Sequence, residues 1–275
     1  MRLDGRVVLV TGAGSGIGRA LAVELSRRGA RLLLVGRRRG PLDETRALLA
    51  DPSAAAALTV DLADPEARST VAGTVGQIAG RLDLLVNNAG TVRAGPLAQQ
   101  DEADWREMLE VNLLAPMALT RSLLPLLRIS PESRVVNVGS MFGDIAFPCF
   151  AAYSASKFGL RGWSEALRRE LAGTGVGVTY CAPRGARTPA ADGFAQYVEA
   201  FRMRLDPPEK VARQIVDAVA RDARDVYPLG PERLFLLVQR LFPGIIDRGL
   251  SGLPSAVPEP GEERPPRPAT SAPGE

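Results

Sequence analysis

The chain has 275 residues, 45% hydrophobic and 24% charged, a balance typical of soluble globular proteins and long enough to bury a full core. A net charge of +3 gives no broad nucleic-acid footprint, and no apolar run approaches the ~20 residues that span a bilayer. Two cysteines and no histidine disfavour a disulfide framework or a metal site, and confine acid–base chemistry to Tyr, Lys, Cys, Asp or Glu.

The first five residues lack the h-region and cleavage site of a secretory signal, so a cytoplasmic location is the default. Short leucine-rich or β-branched runs then alternate with helical patterns through about residue 245. Strands are predicted over residues 6–11, 31–35, 58–60, 84–87, 134–138, 177–181 and 225–227. Helices are predicted over 17–28, 65–79, 102–127, 152–171 and 208–223. Such alternation indicates α/β architecture, a parallel sheet with helices on both faces, in a single domain.

The first strand runs into Thr11, Gly12, Ala13, Gly14, Ser15, Gly16, Ile17 and Gly18, which open the first helix as T-G-x-x-x-G-x-G. Glycines permit positive φ and close backbone approach, and the helix start offers free N–H groups to a phosphate. That is the logic of dinucleotide binding. The second strand is followed by Arg37, Arg38 and Arg39, with no acidic residue before Asp43 to hold a ribose 2′-hydroxyl. Guanidinium groups suit a 2′-phosphate, so NADP(H) is favoured over NAD(H).

Ser140 follows the strand over 134–138, where a hydroxyl can steady developing charge on a substrate oxygen. Thirteen positions on, Tyr153 and Lys157 form Tyr-x-x-x-Lys and share one face of a helix. With four tyrosines and two lysines in the chain, chance yields roughly 0.03 such pairs. An ammonium at that distance is expected to lower the tyrosine pKa toward the range useful for proton transfer. Gly12, Arg37, Asp61, Asn88, Ser140 and Pro183 all fall just after predicted strands, along the one sheet edge where ligands bind.

These motifs resemble the short-chain dehydrogenase/reductase family over about residues 5–230, with Asn87, Asn88, Ala89 and Gly90 in the N-N-A-G motif after the fourth strand. The resemblance implies a Rossmann-type doubly wound parallel sheet of about seven strands in a domain over 1–250. It implies a catalytic tetrad of Asn112, Ser140, Tyr153 and Lys157, with Asn112 holding a water that links Lys157 to solvent. Cofactor contacts are expected from Gly12, Ser15, Gly16, Ile17, Gly18, Arg37, Arg38, Asp61, Leu62, Asn88, Ala89, Gly90, Tyr153, Lys157, Pro183 and Thr188. Asp61 and Leu62 would border the adenine. A homodimer or homotetramer would use the helices around 102–127 and 152–171. Arg184 departs from the family's Pro-Gly, and reads as reaching the substrate pocket or as pointing to solvent.

The expected activity is hydride transfer between NADP(H) and a ketone, aldehyde or secondary alcohol, with Tyr153 as general acid/base. The alternative is a non-catalytic NADP-binding regulatory or scaffold protein, which a broken Ser/Tyr/Lys set would mark; the set is intact. A nucleic-acid role for the arginine cluster lacks an accompanying motif or aromatic platform. Phe142, Phe147, Phe150, Phe194, Tyr197, Phe201 and Met203 suggest an apolar or bulky substrate, or equally a lid packed on the domain. A C-terminal helix over about 231–250, broken at Pro243 and Gly244, is expected to dock on the domain or a partner subunit, with a membrane interface as the competing site for residues 234–250. Residues 254–275, rich in Pro, Glu and Gly, read as a disordered tail.

Overall fold

This computed structural model describes residues 1–228 and 230–251; the proline-rich stretch 254–275 lies outside the described residues. Five buried residues, Val7–Thr11, form β1, four of them an unbroken apolar run of the kind a parallel sheet covered on both faces requires. Helix α1 (Gly16–Arg27) leads to β2 (Arg31–Gly36), α2 (Arg39–Ala47), β3 (Ala55–Thr59), α3 (Pro65–Ala79) and β4 (Leu84–Asn87). The second half continues through α4 (Glu102–Leu109), α5 (Ala115–Ile129), β5 (Ser133–Val138), α6 (Ala151–Glu170) and β6 (Val176–Cys181). Two short helices, α7 (Pro189–Asp192) and α8 (Ala195–Ala200), precede α9 (Pro208–Ala220) and β7 (Asp225–Val226).

All pairings are parallel and the strand order is β3-β2-β1-β4-β5-β6-β7. The order reverses at β1, whose neighbours are β2 on one side and β4 on the other. A crevice therefore opens beyond the carboxyl ends of β1 and β4, the position at which doubly wound sheets bind ligands. On one face, Leu21 and Leu25 of α1 and Val211 and Ile215 of α9 pack on alternate strand residues such as Val8 and Val10. On the other, Val71 of α3, Leu119 and Leu123 of α5 and Leu167 of α6 cover Leu9 and Leu85.

Two predicted elements change, and the C-terminal helix divides at the break the sequence marked near Pro243 and Gly244. The third strand covers Ala55–Thr59 rather than 58–60, because pairing with β2 recruits alanines of weak strand preference. The single helix expected over 102–127 is interrupted by a π-turn, Glu110–Leu114, between α4 and α5. The C-terminal helix is two helices, α10 (Glu232–Leu241) and α11 (Pro243–Ser251), meeting at Phe242, and neither buries a residue. Leu234, Leu237, Leu241 and Ile245 are exposed along this pair. Among the described residues no helix is long and apolar enough to cross a membrane.

Candidate active site

β1 enters the crevice as a glycine turn. Gly12 and Gly16 have φ of +64° and +53°, the left-handed region that side-chain-bearing residues rarely adopt. A Cβ on Gly12 would lie 2.9 Å from Ala89 Cα, so this turn and the loop after β4 meet with no space for one. Thr11 fastens that meeting: its Oγ1 accepts from Asn88 N and Ala89 N, both at 2.9 Å, and its carbonyl accepts from Asn88 Nδ2 at 2.9 Å.

Helix α1 starts here without a side-chain cap or an acidic residue in its first turn. Helix α3 differs: the Asp64 carboxylate accepts from Glu66 N at 2.9 Å and closes its start. The open N–H groups and positive dipole end of α1, at Ser15, Gly16 and Ile17 in the cleft wall, suit a phosphate. Beyond β2, Arg37 and Arg38 are exposed on the same cleft, and neither forms an ion pair among the described residues. Arg39 is instead held by Asp43 at 2.7 Å.

The cleft, of about 330 Å³, gathers Gly12, Ser15, Gly16, Ile17, Gly18, Arg37, Arg38, Asp61, Leu62, Asn88, Ala89, Gly90, Ser140, Tyr153, Lys157, Pro183 and Thr188. Leu62 divides its surface between the cleft and the core cluster under β1. Asn112 stands apart from the lining. Fully buried in the π-turn, its Oδ1 accepts from Thr91 N at 2.8 Å, and its Nδ2 donates to Thr91 O at 2.8 Å and Ser156 Oγ at 3.0 Å. Both amide donors are thus spent joining the loop after β4 to α6. Pro41, Val60, Thr91 and Val111 also line the cleft and were missed by sequence reasoning. The last three adjoin motifs and could have been found by extension, whereas Pro41 belongs to α2, a helix whose Gly40 and Pro41 obscure its pattern.

Ser140 caps a short 3-10 turn, Met141–Gly143, its Oγ accepting from Phe142 N at 3.1 Å, which leaves the hydroxyl proton to donate. One turn into α6, Tyr153 is half-buried, edge-on to Phe142 and Phe150 at ring distances of 6.3 and 6.5 Å. Lys157 lies 5.8 Å from the centre of the Tyr153 ring and donates to Val138 O at 3.1 Å. Burial lowers its pKa to about 8. The Tyr153 pKa is raised, not lowered as the sequence suggested: desolvation among the phenylalanines outweighs the hydrogen bond with Ser140 that opposes it. Arg184 corrects a second expectation. It is buried rather than pointing to solvent: the residue contributes to the cleft lining while its guanidinium is bound to Asp206 and Glu232. The seven side chains from Phe142 to Met203 that suggested substrate walls form one cluster around Phe150, Tyr197 and Phe201 that packs lid against domain.

Fold and cleft together define a Rossmann-type α/β protein with its ligand site at the carboxyl edge of the sheet. Residues 6–197 match the short chain dehydrogenase family, and the chain belongs to that family of oxidoreductases. It is 32% identical over 254 residues to the ketoacyl reductase HetN of Nostoc sp., covering 90% of this chain and 88% of that protein. A metagenomic short-chain oxidoreductase solved with NADP superposes with a TM-score of 0.70 at 31% identity, covering 83% of this chain and 98% of that one. The Burkholderia phymatum short chain dehydrogenase/reductase solved with NAD gives 0.80 at 25% identity, covering 90% and 96%.

Proposed function

We propose that this chain is an NADP-dependent oxidoreductase that exchanges a hydride with a ketone, an aldehyde or a secondary alcohol, with Tyr153 as general acid/base. One observation carries the reading: Ser140, Tyr153 and Lys157 share a cleft with an uncapped helix start and two arginines that form no ion pair among the described residues. When bound, the nicotinamide supplies or accepts the hydride, and the protein supplies position and charge. Ser140 donates to the substrate oxygen and steadies the charge that gathers there. Tyr153 gives that oxygen its proton in reduction and takes it back in oxidation. Lys157 favours the phenolate as it forms and offers donors to a ribose diol. Asn112 anchors the wall beside Lys157, so the proton relay implied by the resemblance would pass beside its amide rather than through it.

Relatives solved with NADP and with NAD show that the fold accepts either cofactor, so the preference rests on this chain's Arg37 and Arg38. Val92, Val111 and Phe194 in the cleft wall favour an apolar or bulky carbonyl substrate, consistent with the ketoacyl reductase named among the relatives.

A panel of ketones with NADPH and NADH tests the activity, and Tyr153→Phe tests the mechanism. The variant is expected to lose turnover by about 100-fold or more while binding NADPH as the native chain does in a fluorescence titration. A variant as fast as the native enzyme removes Tyr153 from the reaction.

A further inference from the structure

Residues 187–206 carry α7 and α8 and form a lid that contributes Thr188, Ala190, Ala191 and Phe194 to the cleft wall. Its inner face is aromatic: Phe194 and Tyr197 stand 5.5 and 5.7 Å from Phe150, and Phe201 stands 6.2 Å from Phe147. At its start, Thr188 touches the glycine turn, where a Cβ on Gly16 would come within 2.8 Å of Thr188 Cγ2.

The two ends of the lid are zipped together. Asp206 N donates to Gly185 O at 2.9 Å, and Arg187 N donates to Asp206 O at 3.0 Å. Arg184, where the family resemblance implies glycine, crosses this stem. Its Nη1 donates to Asp206 Oδ2 at 3.1 Å, while its Nε and Nη2 grip Glu232 Oε1 and Oε2 at 2.5 and 2.7 Å. Lys210 holds the other Asp206 oxygen at 2.8 Å. The paired fork on Glu232 fixes direction as well as distance, and the guanidinium is buried, where solvent screens little.

We propose that Arg184 and Glu232 form a latch that makes the start of α10 part of the substrate lid and sets the lid's closed position. Arg184 is a positioning residue: it acts through the stem on Thr188, Ala190, Ala191 and Phe194, which line the same cleft as Tyr153. Loosening the stem moves that wall and leaves Ser140, Tyr153 and Lys157 in place, since they sit on the β5 turn and α6. The kinetic part of this inference rests on the proposed oxidoreductase reading; the exchange part does not.

The test compares Arg184→Met, Glu232→Ala and Arg184→Lys with the native full-length chain. Hydrogen exchange of residues 188–205 is expected to quicken about tenfold in the first two variants and to stay unchanged over 133–160. With an active ketone, KM rises about fivefold while kcat holds within about twofold. Arg184→Lys, a point charge that can hold one carboxylate, recovers part of both effects. Unchanged lid exchange in Glu232→Ala overturns the latch, whatever Arg184→Met does and whether or not any ketone is turned over. Exchange that quickens equally across the sheet also overturns it, as does a KM that stays native.

Discussion

The amine of Lys157 donates to the Val138 carbonyl inside the cleft wall, and burial moves its pKa from 10.5 to about 8. The fold therefore disfavours the charged form. Below about pH 8 folded and unfolded chains both carry the proton and the whole penalty stands. Between about 8 and 10.5 only the unfolded chain holds it, so this residue's contribution to stability rises with pH. Lys157→Met is expected to raise the urea midpoint relative to the native chain below pH 8, with the gain shrinking as the pH approaches 10.5. A difference that stays constant across that range shows the amine to be solvated. Tyr153 shifts the opposite way for the same reason, since burial disfavours its anion. Spacing in the sequence brought these two side chains together, but spacing says nothing of desolvation, which for Tyr153 depends on Phe142 and Phe150 beside it.

Elements carry the next level of the site. The glycine turn after β1 works because Gly12 is left-handed and the loop after β4 lies against it, as the missing Cβ of Gly12 shows. Gly12→Ala is expected to lower stability by about 1–3 kcal/mol, read from urea unfolding, and to weaken NADPH binding in titration. A native-like midpoint removes the strain argument. This turn was legible from sequence, since glycines at fixed offsets between a strand and a helix have few other uses. The β-branched and leucine-rich strands were equally plain. What stayed hidden depended on partners distant in the chain. Ala55–Thr59 is a strand because β2 pairs with it. The π-turn holding Asn112 has the same apolar spacing as an ordinary helix, and its purpose appears only once Thr91 and Ser156 are beside it. Arg184 was visible as an oddity, but its partners lie 22 and 48 residues away, beyond the reach of local pattern.

For the whole molecule, the homo-oligomer implied by the resemblance would use the α4–α5 and α6 faces, where Leu109, Leu114 and Phe158 are exposed. Apolar side chains grouped on neighbouring helices favour burial against a second copy. Replacing Leu114 and Phe158 by Glu is expected to lower the mass found by sedimentation equilibrium to that of one chain. An unchanged mass places the interface elsewhere, and the exposed leucines of α10 and α11 then become the next surface to alter. Another whole-chain property concerns reagents. With lysine present only at 157 and 210, the chain offers amine-directed reagents few side chains, one partly exposed beside Asp206 and one in the cleft. Its lowered pKa leaves more of the Lys157 amine unprotonated near pH 8 than an ordinary lysine, so an amine-directed probe that fits the cleft is expected to mark Lys157 faster than the same probe marks it with the cleft filled by NADPH. Its labelling rate then becomes a direct gauge of how open the lid stands.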